Sequence, residues 1–78
     1  MLLDVSVLST RKIFFEGKAK SLTLPGESGF FEILPFHKPI LSRLISGVMY
    51  VDEKKISIRR GIVQCHLNKI TVIIEEMQ

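Results

Sequence analysis

The side chains with the clearest means to do bond chemistry in this 78-residue chain are two histidines, one cysteine and eight carboxylates. His37 stands between Phe36 and Lys38, with Pro35 and Pro39 one residue further out on either side. A catalytic histidine needs a nucleophile to activate or a carboxylate to orient it. The nearest carboxylate, Glu32, is separated by a strand and a turn, a spacing that fixes no geometry, so a structural or interface role outweighs catalysis. Cys65 and His66 are adjacent in a run that reads as a strand, where neighbours point to opposite faces. They cannot share a metal without a bulge, and Cys65 reads as a small buried apolar residue. Glu27 and Glu32 lie too far apart to be read as an acid/base pair. Gly26-x-x-Gly29 lacks the lysine and the following helix of a phosphate loop, which leaves it a turn signal. The expectation is a chain with no catalytic, cofactor-binding or metal site, and not an enzyme.

The elements that would position these residues read as nearly all β. Beta-branched and aromatic residues come in short runs, broken by turn residues every 8–12 positions or so, as in a small sandwich or barrel. Residues 1–8 place Leu3, Val5 and Val7 on one face, with Asp4 and Ser6 on the other. Ile13 to Phe15 reads as a short strand ended by Glu16-Gly17. Lys18 to Leu24 follows with Leu22 and Leu24 on one side, and Phe30 to Leu34 is a further strand. Ile40 to Ile45 is open between a strand and a helical turn. Val48–Val51 and Lys55–Arg60 form a hairpin around Asp52-Glu53-Lys54, with Ile56 and Ile58 facing in. Ile62–Leu67 and Lys69–Glu75 form a second hairpin around Asn68. No segment sustains a 3.6-residue period. The fold class predicted is a flattened all-β sandwich or barrel of about 8–10 short strands, one domain over residues 1–78.

Composition narrows the function. A chain of this size buries only about 60–65% of its unfolded surface, so a partner that covers part of it would add stability. One cysteine allows no internal disulfide, in keeping with a reducing compartment. No segment has the pattern of a signal peptide and no apolar run reaches a membrane span, so a soluble chain is expected. The net charge of +3 is mild and its lysines and arginines are scattered in small clusters. A nucleic-acid binder would gather them on one face with aromatics to stack on bases, so no nucleic-acid partner is expected.

One stretch, residues 23–41, is unlike the rest. It holds all three prolines of the chain and three of its five phenylalanines. Pro25-Gly26 and Ser28-Gly29 mark turns, while Pro35 and Pro39 push Leu34 and Lys38 toward extended backbone. Between them run Phe30-Phe31, Ile33-Leu34, Phe36 and Ile40-Leu41. A strand buries one face in a single sandwich, so at least one member of each adjacent pair should point outward. Phe30, Phe31, Leu34, Phe36, Ile40 and Leu41 could all be plain core, but an exposed apolar patch of this kind reads more readily as a partner surface.

Pro25-Gly-Glu-Ser-Gly29 followed by Ile33-Leu-Pro-x-His-x-Pro-Ile-Leu41 resembles the signature of the epsilon subunit of F-type ATP synthases (mitochondrial delta). The resemblance runs in order along the chain, through Leu3-Asp4-Val5, Phe14-Phe15-Glu16-Gly17, Leu44-Ile45-Ser46-Gly47-Val48 and the stretch from Gly61 to Val72. It implies a non-catalytic central-stalk domain that packs against the gamma subunit and the polar loops of the membrane c-ring. Such a domain transmits rotation, peripheral to the membrane at its cytoplasmic face. The partner-interface residues it implies are Glu27, Ser28, Gly29, Phe30, Phe31, Glu32, Phe36, His37, Lys38, Ile40 and Arg43, with Lys38 and Arg43 as ionic contacts to the ring.

Two departures bear on that expectation. The family usually has Pro-Gly-His where this chain has Pro35-Phe36-His37, and phenylalanine does not readily take positive φ, so a different turn is expected there. Many members also continue into a two-helix hairpin that restrains ATP hydrolysis. The sequence closes on Glu75-Glu76-Met77-Gln78, so no nucleotide site is expected. The alternative reading is a free-standing small all-β module that binds nucleic acid or a peptide.

Overall fold

A strand of 13 residues, β7 (Lys54–His66), forms the spine of the molecule. A computed structural model describes residues 1–77. The other strands are β1 (Leu3–Leu8), β2 (Ile13–Ala19), β3 (Leu22–Gly26), β4 (Gly29–Ile33), β5 (Ile40–Leu44), β6 (Gly47–Val51) and β8 (Lys69–Glu76). They form one sheet in the order β2-β1-β8-β7-β5-β3-β4, with β6 paired to β3 and β7. All pairs are antiparallel except β1 with β8.

The sheet folds over at one corner, and the corner has a readable cause. The register of β5 on β7 continues into β6: Leu44 faces Gly61 and Gly47 faces Ile58. Ile45-Ser46 therefore lies opposite Arg59-Arg60. On β7 the buried residues are Ile56 and Ile58, then Val63 and Cys65, so the inward face changes from even to odd positions. The ladder to β8 slips between Ile58 and Arg60, a bulge that absorbs the extra residue and re-aims the strand. Across from it the inward face passes from Leu44 to Met49 and Val51. The Ser46 hydroxyl donates to the Arg59 carbonyl at 2.7 Å and the Ile45 N–H to the Pro25 carbonyl at 2.9 Å, which satisfies groups the broken ladder leaves free. An added Cβ at Gly61 would sit 2.7 Å from the Ile73 carbonyl oxygen, so the corner needs glycine for close approach rather than for φ.

Folding over lets one apolar face bury itself. Leu3, Val5 and Val7, Leu22 and Leu24, Ile33, Met49, Ile58, Val63 and Val72 are among the buried residues of a single core, and no buried polar side chain is found among the described residues. The expected all-β class, the inward triplet of β1 and the inward pairs of β3 and β7 are all present. Several boundaries differ. Gly17 pairs with Val5 inside an unbroken β2 instead of ending it. Ile40–Leu44 is a strand. The two runs 55–60 and 62–67 are one strand joined through the bulge. Gln78 lies outside the described residues.

Turn chemistry joins the strands. The Asp52 carboxylate accepts from the backbone N–H of Lys20 and of Ser21 at 2.9 and 3.0 Å, which ties two turns together. Between β7 and β8 both loop residues have positive φ, Leu67 at 52° and Asn68 at 62°, the type I′ pattern. Asparagine suits that backbone and leucine does not. Leu67 is 81% exposed, so it buries little in return. Leu67→Asn is therefore expected to stabilise the isolated domain by about 0.5–1 kcal/mol, read as a higher midpoint in urea unfolding.

Candidate partner-docking surface

The residues singled out between Glu27 and Arg43 do not gather at one point but lie along a strip. At one end, the exposed turn Glu27-Ser28 joins β3 to β4, with Gly29 at φ 121°, a conformation glycine alone takes at no cost. Arg43 reaches Glu27 there at 3.6 Å, with both side chains more than half exposed. A pair so exposed is worth little to stability and can be exchanged for a partner's charge. The middle of the strip is β4, an edge strand that runs about 13 Å at 3.3 Å per residue. Phe31 packs against the core and Ile33 is buried, while Phe30 and Glu32 face solvent. Each adjacent apolar pair thus sends one member out, as expected: Phe30 beside Phe31, and Leu34 beside Ile33.

The far end is the turn Leu34-Pro35-Phe36-His37, closed by the His37 N–H donating to the Leu34 carbonyl at 3.2 Å. Proline at the second position and positive φ at the third define a type II turn, which normally demands glycine third. Phe36 nonetheless adopts φ 69°. Phenylalanine thus takes the positive φ that it was expected to avoid. The reason lies in a side chain that sequence spacing could not pair with it: the Phe36 N–H donates to Asn68 Oδ1 at 2.7 Å, and the Asn68 carbonyl accepts from the Asp4 N–H at 2.8 Å. Holding a phenylalanine in this region costs about 1–2 kcal/mol, yet Phe36 is 78% exposed.

This end of the strip therefore carries Phe36 and, across the Asn68 bridge, Leu67, both large, exposed and strained. Leu34 adds to it, and Leu41 is exposed on the neighbouring β5. Leu67 escaped sequence reasoning; its signal was a bulky residue in a two-residue hairpin loop beside asparagine. His37 is half-buried with Nδ1 2.8 Å from the Lys38 carbonyl, Ile40 is half-buried against the core, and Lys38 is exposed. No group of three potential metal ligands gathers among the described residues.

Cys65 is buried on the inner face and His66 exposed on the outer, as the alternation requires. Burial pushes the Cys65 thiol pKa up. At about pH 8 it should resist thiol reagents in the folded chain and label at once in denaturant, so rapid labelling of the native protein would contradict the placement. Arg60 donates to Glu75 at 2.7 Å, which holds that carboxyl below its usual range. A depressed acid contributes above its ordinary pKa and loses its contribution as pH falls through the lower folded value. Both groups are exposed, so the contribution is small.

The described residues thus form an all-β domain whose exposed apolar strip ends in Phe36 and Leu67, both at positive φ. Residues 2–78 match the family model described as ATP synthase, Delta/Epsilon chain, beta-sandwich domain. The chain belongs to that family. Among curated relatives, the ATP synthase epsilon chain of Leptospira borgpetersenii is 37% identical over 75 residues, covering 91% of this chain and 59% of the relative. That of Bordetella petrii is 37% identical over 76 residues, covering 91% and 54%. The chain thus spans a little over half the length of the relatives it matches. Two cryo-EM structures share the fold. A chain of the Tetrahymena thermophila mitochondrial ATP synthase central stalk and c-ring has a TM-score of 0.78 at 16% identity, with 95% of this chain and 63% of that one covered. A chain of the Euglena gracilis mitochondrial ATP synthase, solved as OSCP/F1/c-ring, has a TM-score of 0.83 at 15% identity, with 96% and 51% covered.

Proposed function

We propose that this domain is a non-catalytic coupling piece of the rotor of an F-type ATP synthase, gripped between the gamma subunit and the polar loops of the c-ring. One observation carries the reading. Phe36 and Leu67 are kept at strained backbone positions and exposed, joined through Asn68, in a chain of the ATP synthase delta/epsilon family. Strain at an exposed apolar residue harms the isolated domain and is retained where a partner covers it.

Coupling rotation asks for stiffness rather than chemistry. A type II turn pinned to a hairpin on another strand, on a sheet folded around one core, deforms little under load. Apolar anchors resist slippage, and the flanking charges Lys38 and Arg43 fix orientation against acidic groups of the ring loops. The domain itself is peripheral, at the cytoplasmic face of the membrane. No helix of the described residues is long and apolar enough to cross one.

Mixing the purified chain with the gamma subunit and c-ring of its own organism tests the proposal. Co-migration on a density gradient is the expected result. Migration as a free domain, together with salt-sensitive binding to oligonucleotides, would favour the small binding module instead.

A further inference from the structure

The other free edge of the sheet, β2, carries a surface that the strip described above does not use. Ile13 at its start is 60% exposed, and Phe14 and Phe15 are half-exposed behind it. Lys12 Nζ lies over the Phe14 ring at 4.7 Å, and Lys54 Nζ over the Phe15 ring at 5.9 Å. Lys54 also donates to the Phe14 carbonyl at 3.1 Å. Lys55 completes the wall of a shallow cavity of about 300 Å³ between β2 and the start of β7. None of these three lysines forms an ion pair among the described residues, whereas Lys18, Arg43 and Arg60 each do. Glu16 and Glu53, the nearest carboxylates in sequence, are exposed and leave these ammonium groups unmatched.

We propose that this surface is a second docking site, for an acidic, apolar-studded segment of a partner polypeptide. Charge complementarity selects the partner. Lys12 and Lys54 are held on aromatic faces, so less side-chain freedom is lost when a carboxylate meets them, and Ile13, in the wall of the same cavity, offers an apolar contact. The number of charges sets the class. Anionic membrane surfaces are recognised by clusters of roughly 4–8 basic residues, and nucleic acid by a longer basic track with open stacking faces. Here three lysines converge, and two of the rings are already covered by their own ammonium groups. That fits a few carboxylates on a short polypeptide segment.

The test is an amide NMR titration of the intact chain with a short peptide of alternating glutamate and leucine, beside its glutamine counterpart and phosphatidylglycerol vesicles. Shifts at Ile13, Phe14, Lys54 and Lys55 with the glutamate peptide are expected, weakened by added salt. Lys55→Glu, at a side chain with no hydrogen bond or ion pair among the described residues, should lower the affinity about tenfold, and Lys12→Glu, which also gives up the Phe14 contact, should do the same with the sheet intact. Equal binding of the glutamine peptide, shifts centred on Phe36 and Leu67, or uptake by vesicles without binding of the peptide would each overturn the proposal.

Discussion

Serine at both Phe30 and Phe36 is expected to leave the sandwich folded and to abolish association with gamma and the c-ring. The two residues are 64% and 78% exposed, so loss of their rings removes little that holds the isolated domain together. Aromatic anchors at the centre of an interface typically cost about 2 kcal/mol each when truncated, roughly thirtyfold in affinity apiece. A control separates binding from strain. Phe36→Gly relieves the positive φ and should leave stability unchanged or raised by up to about 1 kcal/mol, while still weakening the complex. Affinity measured beside a thermal melt reads both quantities. Unchanged association in the double variant would show that the strip is not the contact.

The second large effect is in the core. Leu22 is fully buried, and its partners are Ile33 on one flank and Val51 on the other. It thus stands where β3 joins the edge strand β4 to β6. Leu22→Ala should cost about 2–5 kcal/mol through lost transfer energy and the cavity left behind. A domain of this size has a total stability of roughly 4–12 kcal/mol. A loss of about 3 kcal/mol lowers the melting midpoint by about 12–24 °C. Because β4 carries Phe30, the same change should also impair docking, through the scaffold. A shift of only a few degrees would mean that Leu22 is not buried where β3 joins β4 to β6.

How much of this was legible in the chain depends on how local each feature is. Alternation is local, so the inward Leu3, Val5 and Val7, the inward Ile56 and Ile58, and the opposed Cys65 and His66 could be read directly. The outward Phe30 followed from counting faces. The continuity of β7 was not legible, because the bulge at Arg59 reverses the parity of inward residues and imitates a strand break next to Gly61. Gly17 misled for a related reason: glycine signals turns, yet an edge strand tolerates it. The backbone of Phe36 was beyond reach. Its unfavourable φ is underwritten by Asn68, 32 residues away, and only the fold brings the two together. Leu67 was missed for a different reason: it reads as the last residue of a strand, whereas β7 ends at His66 and Leu67 is the first of two loop residues.

Hydrogen–deuterium exchange of this chain, free and bound to a gamma–c-ring assembly, puts the central idea to its most direct test. Protection should appear along β4, across Leu34–Lys38 and at the Leu67–Asn68 turn, with the inner strands unchanged. If a complex forms and protection falls elsewhere while Phe36 and Leu67 exchange as in the free domain, the strained apolar end is not what the rotor holds.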